Sequence, residues 1–209
     1  MGVQLLDDAA RVAFDRAIKS IEGASAVEVV VALRRRSGDY HHANAIVGFA
    51  VAAIVLAALL FSEPTYTLGG ILLAPFVFGA VAAVGVEWIA PLKRVLTSRK
   101  SRRAHVLRAA RATFVERGVH NTTGRSGVLA YISLLEHQIV LVPDGGLAAT
   151  IADGVLARIG DAMTAAMPAG GTAVAAALEK LAPEAARAMP HADDDRNELP
   201  DMIDTGDDA

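Results

Sequence analysis

Two long uncharged runs constrain this chain more than any other feature of its sequence. The first extends from Ala43 to Phe61 and the second from Leu68 to Val86, and neither contains Asp, Glu, Lys or Arg. An apolar segment of roughly 20 residues is long enough to cross the hydrocarbon core of a bilayer as a helix. We therefore predict a transmembrane helical hairpin over residues 43–90, with spans at 43–61 and 68–86.

Composition favours this interpretation over the alternative, a pair of helices buried in a soluble bundle. Hydrophobic residues make up 53% of the chain and the mean hydropathy is +0.39, which is high for a soluble protein. The first ten residues include Asp7 and Asp8 and lack an apolar run, so we expect insertion to use an internal segment rather than a signal peptide. The absence of Cys excludes disulfides, thiolate metal sites and Cys nucleophiles.

The distribution of basic residues predicts the orientation of the hairpin. Arg34, Arg35 and Arg36 precede the first span and Lys93 and Arg94 follow the second, whereas the turn between the spans has no Lys or Arg. Because cytoplasmic flanks carry the excess of Lys and Arg, we expect both chain termini in the cytoplasm.

A basic cluster beside the second span extends to Arg111, and we expect it to contact anionic lipid rather than nucleic acid. Small residues in the hairpin favour close helix packing, which leaves homo-oligomerisation through the hairpin open. A channel formed by such an oligomer is disfavoured because the spans have no internal charge.

The sequence on either side of the hairpin predicts an α/β domain. Helical apolar spacing and a short β-branched run precede the hairpin, and a basic helix, two apolar strands and two Ala-rich helices follow it. The predicted ranges are Leu5–Ile21, Val27–Leu33, Arg102–Glu116, Gly127–Leu135, Gln138–Pro143, Leu147–Met167 and Thr172–Met189. Only Glu136 and His137 separate the last two strands, so we expect them to pair antiparallel through a two-residue turn.

This pattern divides the chain into four parts. Residues 1–42 and 91–190 form the two parts of one α/β domain, which the transmembrane hairpin interrupts, and residues 191–209 form an acidic tail. The tail beyond Asp201 has few apolar residues, so we expect its end to be disordered.

Three stretches outside the hairpin resemble the TPM-domain family. An Arg-x-Gly-Val-Leu strand at Arg125–Leu129 is followed by Asp-x-Gly at Asp144–Gly146, and the motif NELPD occupies Asn197–Asp201. The full stretches are Ala24–Tyr40, Thr122–Leu147 and Met189–Asp204. The chain departs from the family pattern at Pro143, where Gly is common.

The resemblance implies an α/β/α sandwich with a small mixed sheet. The family includes thylakoid lumen proteins of photosystem II repair with acid phosphatase activity, and bacterial proteins in which a membrane segment accompanies the domain. It therefore implies a multi-pass protein of the bacterial inner (plasma) membrane whose domain acts as a binding, assembly or quality-control module for other membrane proteins. The alternative that it implies is an acid phosphatase that depends on a divalent cation, Ca²⁺ or Mg²⁺.

The best candidate site is the turn Asp144-Gly145-Gly146, where a predicted strand ends and a helix begins. Backbone N–H groups at such a turn favour anions and the Asp carboxylate favours cations, although the same residues also make an ordinary helix cap. Thr122 and Arg125 lie just before the predicted strand Gly127–Leu135, where they would either hold phosphate or pair with a carboxylate.

In the phosphatase interpretation, Asp144 is the candidate catalytic residue and shares a divalent cation with Asp201. The cation would polarise a phosphoryl oxygen and activate water. The sequence has no P-loop, no Ser-His-Asp order and no HExxH pattern, so the commoner hydrolase chemistries lack their residues. Whether the protein is an enzyme is left open by the sequence.

Overall fold

The computed structural model describes residues 5–62, 66–86, 97–191, 198–199 and 203–206. The chain forms two compact units. The first combines the residues up to Ser37 with those from Arg103 onward, and the second consists of Gly38–Arg102. The first unit is therefore built from two separate stretches of sequence, and the second unit is an insertion between them.

In the described part of the chain, the first unit contains a four-stranded mixed sheet with the order β3-β2-β1-β4. Strand β1 lies between β2 and β4 and is parallel to both, whereas β2 and β3 are antiparallel. The strands are β1 (Val29–Arg34), β2 (Val128–Ser133), β3 (Gln138–Pro143) and β4 (Ile203–Asp204). The small mixed sheet expected from the sequence is confirmed.

Alternate residues of the strands face two separate apolar cores, because successive side chains of a strand point to opposite sides of the sheet. On one side, Val29 and Val31 pack with α1 (Asp8–Glu22), α6 (Val155–Ala166) and α7 (Gly171–Glu179). On the other side, Val30 and Ala32 pack with Val106, Ala110 and Phe114 of α4 (Arg99–Glu116). Helices on both faces of the sheet confirm the α/β/α sandwich.

The two Ala-rich helices are each split, so their prediction as single helices is wrong. Residues 147–167 form α5 (Gly145–Thr150) and α6, because Ile151 adopts an extended conformation and Gly154 a positive φ of 75°. Residues 172–189 form α7 and α8 (Ala182–Ala188), with Pro183 in the first turn of α8. Proline suits a helix start because it has no N–H to donate inside a helix.

The connection between β2 and β3 is longer than the predicted two-residue turn. Strand β2 ends at Ser133 and β3 begins at Gln138, so residues 134–137 form the connection. His137 in this connection has a φ of 54°, a left-handed conformation that completes the reversal. The antiparallel pairing itself is confirmed.

The C-terminal region contributes β4, which the sequence did not predict. Ile203 pairs with Val31 and Asp204 with Ala32, so the expectation of disorder beyond Asp201 is wrong for these residues. Residues 207–209, as well as Asp201 itself, lie outside the described residues.

The second unit contains helices α2 (His41–Phe61) and α3 (Leu68–Gly85), which pack against each other. Both are long and apolar enough to cross a membrane, with mean hydropathies of 2.5 over Asn44–Phe61 and 2.1 over Leu68–Gly85. Only 6% of the first window and 11% of the second are buried. Lys93 and Arg94, on which the predicted orientation partly depends, lie outside the described residues.

Close packing of α2 on α3 depends on two glycines. A Cβ atom at Gly48 would lie 2.9 Å from the Gly79 carbonyl oxygen, and one at Gly79 would lie 2.8 Å from the Gly48 carbonyl oxygen. Ala52 and Ala83 occupy the next turns of the same contact. The interface follows the small-residue pattern that lets helix backbones approach closely in membranes.

Candidate functional site

Asp144 lies at the end of β3, where it is the N-cap residue of α5 and is 3% exposed. Its Oδ1 accepts hydrogen bonds from the Gly145 N–H at 2.6 Å and from Nη2 of Arg125 at 3.0 Å. Its Oδ2 is buried and has no hydrogen-bond partner in the described part of the chain. Asp144 therefore acts as a helix cap and an ion-pair partner, with one carboxylate oxygen left over.

Arg125 lies in a tight loop before β2 and has a φ of 51°, which is uncommon for a residue other than glycine. Its backbone N–H donates to the Thr122 carbonyl at 3.0 Å, and its own carbonyl accepts from the Leu147 N–H at 3.2 Å. The Arg125 side chain is 67% exposed, so the guanidinium keeps donors in solvent while one of them pairs with Asp144.

Thr122 is buried, and its hydroxyl accepts a hydrogen bond from the Ser126 N–H at 2.9 Å. This contact closes the loop that carries Arg125. The structure therefore gives Thr122 a role in shaping the loop, whereas the sequence left open a contact with phosphate or with a carboxylate.

Gly145 and Gly146 allow the start of α5 to approach this loop. A Cβ atom at Gly146 would lie 2.3 Å from the Gly124 carbonyl oxygen and 2.8 Å from that of Arg125. The three atoms nearest to a Cβ atom at Gly145 all belong to the Arg125 guanidinium, the closest at 3.2 Å. The close approach thus requires glycine at position 146 far more than at position 145.

The described residues of this turn do not fit a divalent cation. No group of three or more His, Asp or Glu side chains that could hold a metal ion occurs in the described part of the chain. The cationic Arg125 group occupies one oxygen of Asp144, and Ca²⁺ or Mg²⁺ sites draw on several oxygen ligands. Asp201, the second predicted ligand, lies outside the described residues.

A second constellation, which the sequence analysis missed, lies at the outer edge of β1. Both carboxylate oxygens of Asp204 are engaged by two arginines, with 2.5 Å from Arg34 Nη2 to Oδ2 and 2.6 Å from Arg117 Nε to Oδ2. Arg117 Nη2 also donates to Oδ1 at 2.8 Å, so Arg117 and Asp204 form a bidentate ion pair. The sequence offered no signal for this pairing, since 170 residues separate Asp204 from Arg34.

Charge around Asp204 changes its acidity. Burial alone would raise the pKa of the Asp204 carboxyl, but the Arg34 hydrogen bond, the Gly206 N–H and the charges of Arg34 and Arg117 lower it below its ordinary value of 3.8. The group is therefore ionised at neutral pH.

Glu28 binds the backbone of the C-terminal region at the start of the same edge. Its two carboxylate oxygens accept from the N–H groups of Glu198 and Leu199 at 3.3 and 3.4 Å. Glu198 in turn accepts from the Thr123 N–H at 2.6 Å and from the Thr123 hydroxyl. These Thr123 hydrogen bonds lower the pKa of the Glu198 carboxyl. The described part of the NELPD motif thus docks on the domain.

A third cluster lies where β1 and β2 end. The buried Glu136 carboxylate accepts from the Ser37 N–H at 2.9 Å and from the Ser133 hydroxyl. The Ser37 hydroxyl lies 2.6 Å from that of Ser133 and 3.1 Å from that of Tyr131. Burial raises the pKa of Tyr131, and the Ser37 hydrogen bond partly offsets this. The cluster ties the β2–β3 connection to the last residue before the second unit.

No family model and no curated protein matches the sequence. Among solved structures, the chain is similar to the NMR structure of the BA42 protein from the psychrophilic bacterium Bizionia argentinensis. The TM-score is 0.57 at 17% sequence identity, and the match covers 96% of this chain and 95% of that chain. At this identity the likeness shows the fold alone.

Proposed function

We propose that the chain is a membrane-anchored α/β/α module of the TPM type that binds other membrane proteins during their assembly or quality control. Helices α2 and α3 anchor it in the bacterial inner membrane as a two-span hairpin. The first unit and both chain termini lie in the cytoplasm, as the basic flanks of the hairpin favour.

The exposed apolar surface of α2 and α3 is the main support for membrane anchoring. Phe49 is 79% exposed, Phe76 is 71% exposed and Leu68 is 84% exposed. Other large apolar side chains of the two helices are also exposed. Leaving one such side chain in water costs about 1.5–3 kcal/mol relative to burying it. An apolar surface of this extent on a soluble monomer is rare, whereas a bilayer would cover it.

The cores of the first unit support its role as an independent module. Neither apolar core contains a residue of α2 or α3 among the residues described. The described residues of α2 and α3 therefore form no part of the domain cores, which supports a domain that folds by itself and uses the helices as a membrane anchor.

Alkaline extraction combined with photo-crosslinking tests this proposal. We expect the protein to stay with the membrane at high pH, because α2 and α3 bury their apolar surface in lipid. A photo-reactive residue at Val115, an exposed apolar position of α4, should give adducts with integral membrane proteins. The matched control places the same residue at Val12, an exposed position of α1 on the opposite layer. Release of the protein by alkali, or adducts with soluble proteins alone, would contradict the proposal.

A divalent-metal phosphatase is the second candidate, and the unpartnered Oδ2 of Asp144 is the observation that favours it. Turnover of a generic phosphate ester by detergent-solubilised protein, with and without Ca²⁺ or Mg²⁺, separates the two. Metal-dependent turnover that Asp144→Asn abolishes would support the enzyme. We place this candidate second because the described residues do not form a divalent-cation site.

A further inference from the structure

Three features along the outer edge of β1 contact the chain's own C-terminal region, and we call them the edge cradle. They are the backbone of β1 at Val31 and Ala32, the Glu28 carboxylate at one end, and the guanidinium groups of Arg34 and Arg117 at the other. The chain's own C-terminal region, residues 198–206, occupies the cradle in its described parts.

We propose that the edge cradle binds an extended segment of a partner membrane protein that carries an apolar residue followed by an acidic one, in place of residues 198–206. In this view, the C-terminal region is a tethered competitor that keeps the cradle filled until a partner displaces it. The inference rests on the proposed function and names the class of partner that the module takes.

Arg34 and Arg117 form the part of the cradle that binds an acidic side chain. Arg34 and Arg117 contact the Asp204 carboxylate at 2.5 and 2.6 Å, and Arg34 Nη1 also donates to the Asp204 carbonyl oxygen at 3.0 Å. Planar guanidinium groups match a carboxylate geometrically and keep their charge at any physiological pH. Two cations around one anion leave a positive site whenever Asp204 withdraws.

Glu28 and the apolar core bind the other end of the peptide. The Glu28 carboxylate accepts two successive backbone N–H groups, which selects chain direction rather than side-chain identity. Leu199 is buried in the same apolar core as Val30 and Phe114, so the cradle also binds an apolar side chain. The peptide that fits has an apolar residue near Glu28 and an acidic residue near the arginines.

Among the described residues, the C-terminal region pairs with β1 over a shorter stretch than β2 does. Strand β4 pairs with β1 at two positions, whereas β2 pairs with β1 at six. The Thr123–Glu198 contact is exposed to solvent, and the Arg117 side chain is 42% exposed. A short segment held partly by solvent-exposed hydrogen bonds opens at a lower free energy than the whole domain unfolds. Addition of a strand to an exposed sheet edge is an established mode of peptide binding.

Binding of a labelled peptide to the full-length protein in detergent tests the inference. The probe is a peptide of residues 198–206, and the second peptide carries Asn in place of Asp204. The protein variant Asp204→Asn keeps every part of the cradle but loosens the resident segment. Because apparent affinity falls with the fraction of sites that are free, we expect the variant to bind the probe about tenfold more tightly than the wild type.

Matched variants make the outcome specific. Asp15→Asn removes the same charge from an exposed position of α1 and should bind the probe like the wild type. Ile203→Ser loosens the same segment by another route and replaces Asp204→Asn if that variant does not fold. No binding to either loosened variant, or equal binding of the Asn peptide, would overturn the inference.

Two further measurements separate the alternatives. If the wild type is a dimer that Asp204→Asn dissociates, the occupant is the C-terminal segment of a second copy, and the partner proposal is wrong. If Val115 adducts with membrane proteins persist while the probe fails to bind, the proposed function stands and the edge cradle alone is refuted.

Discussion

Gly146 shows how a single hydrogen atom in place of a side chain determines the geometry of the Asp144 turn. A Cβ atom there would lie 2.3 Å from the Gly124 carbonyl oxygen, which belongs to the backbone and cannot rotate away. We predict that Gly146→Ala lowers the free energy of unfolding by about 1–3 kcal/mol, the usual cost of overpacking. Gly145→Ala is the control, because the three atoms nearest to its Cβ belong to the end of the Arg125 side chain rather than to the backbone. Denaturant unfolding of both variants checks this, and equal losses would contradict it.

Asp204 makes docking of β4 depend on pH. Its pKa is lowered in the folded state, so its contribution is fully present above the ordinary value of 3.8 and is lost as the pH falls below that value. The Gly206 N–H donates to Asp204 Oδ1 at 3.1 Å within the same segment, so its NMR resonance reports the charge of that carboxylate. We expect that resonance to shift in the wild type as the pH falls below about 4. A shift of the same size and midpoint in Asp204→Asn would show that another group is responsible.

At the level of single residues, the sequence anticipated the Asp144 turn but not the role of each residue. Asp144, Arg125, Gly145 and Gly146 do come together, because they flank strands whose pairing the apolar pattern predicts. Arg34, Arg117 and Asp204 could not be assigned, since nothing local in the sequence distinguishes an arginine that pairs across the fold from one that is solvated.

The contact of α2 with α3 depends on Gly48 and Gly79, and we predict that Gly79→Leu forces the two helices apart. A side chain at Gly79 would collide with the Gly48 carbonyl oxygen at 2.8 Å and the Ala52 methyl group at 3.0 Å. Pulsed electron resonance between spin labels at residues 46 and 84 should show a longer and broader distance distribution.

Gly69→Leu on the same helix is the control for this prediction, because a Cβ at Gly69 meets nothing within 4 Å. The control should leave the distance distribution unchanged. An unchanged distribution in Gly79→Leu would mean that the two glycines do not hold the hairpin together.

At the level of elements, the sequence predicted those with a strong period and missed those set by tertiary contacts. The amphipathic α1, the β-branched β1 and the uncharged α2 and α3 were all predicted close to their observed bounds. The division of α5 from α6 was missed, because Ala-rich composition favours helix throughout and only Gly154 marks the break. Strand β4 was missed because two residues carry no periodicity and pair only once β1 is in place.

The first unit should fold without the second, since its cores contain no described residue of α2 or α3. We predict that replacing residues 38–102 with a flexible Gly/Ser linker yields a soluble protein with the circular dichroism of an α/β domain and a cooperative thermal transition. A chain that aggregates in the absence of detergent would contradict this.

Phe14→Ala in the linker protein serves as its control. Phe14 is fully buried in the core between α1 and the sheet, and truncating such a side chain costs about 3–5 kcal/mol. The variant should melt at a clearly lower temperature. An unchanged melting temperature would show that the linker protein does not have the native core.

At the scale of the whole molecule, we propose that one α/β/α domain is interrupted by a hairpin that crosses the membrane and returns. The chain has no Cys, so single cysteines report their own position without background. Ser62 lies at the end of α2 and is exposed, and Ala149 is exposed on α5 of the first unit.

Labelling of Ser62→Cys and Ala149→Cys in spheroplasts with a membrane-impermeant maleimide tests whether the hairpin crosses the membrane and returns. We predict that Ser62→Cys reacts in intact spheroplasts and that Ala149→Cys reacts only after lysis. Reaction of Ala149→Cys before lysis would reverse the orientation, and protection of both cysteines until lysis would contradict a hairpin that crosses the membrane.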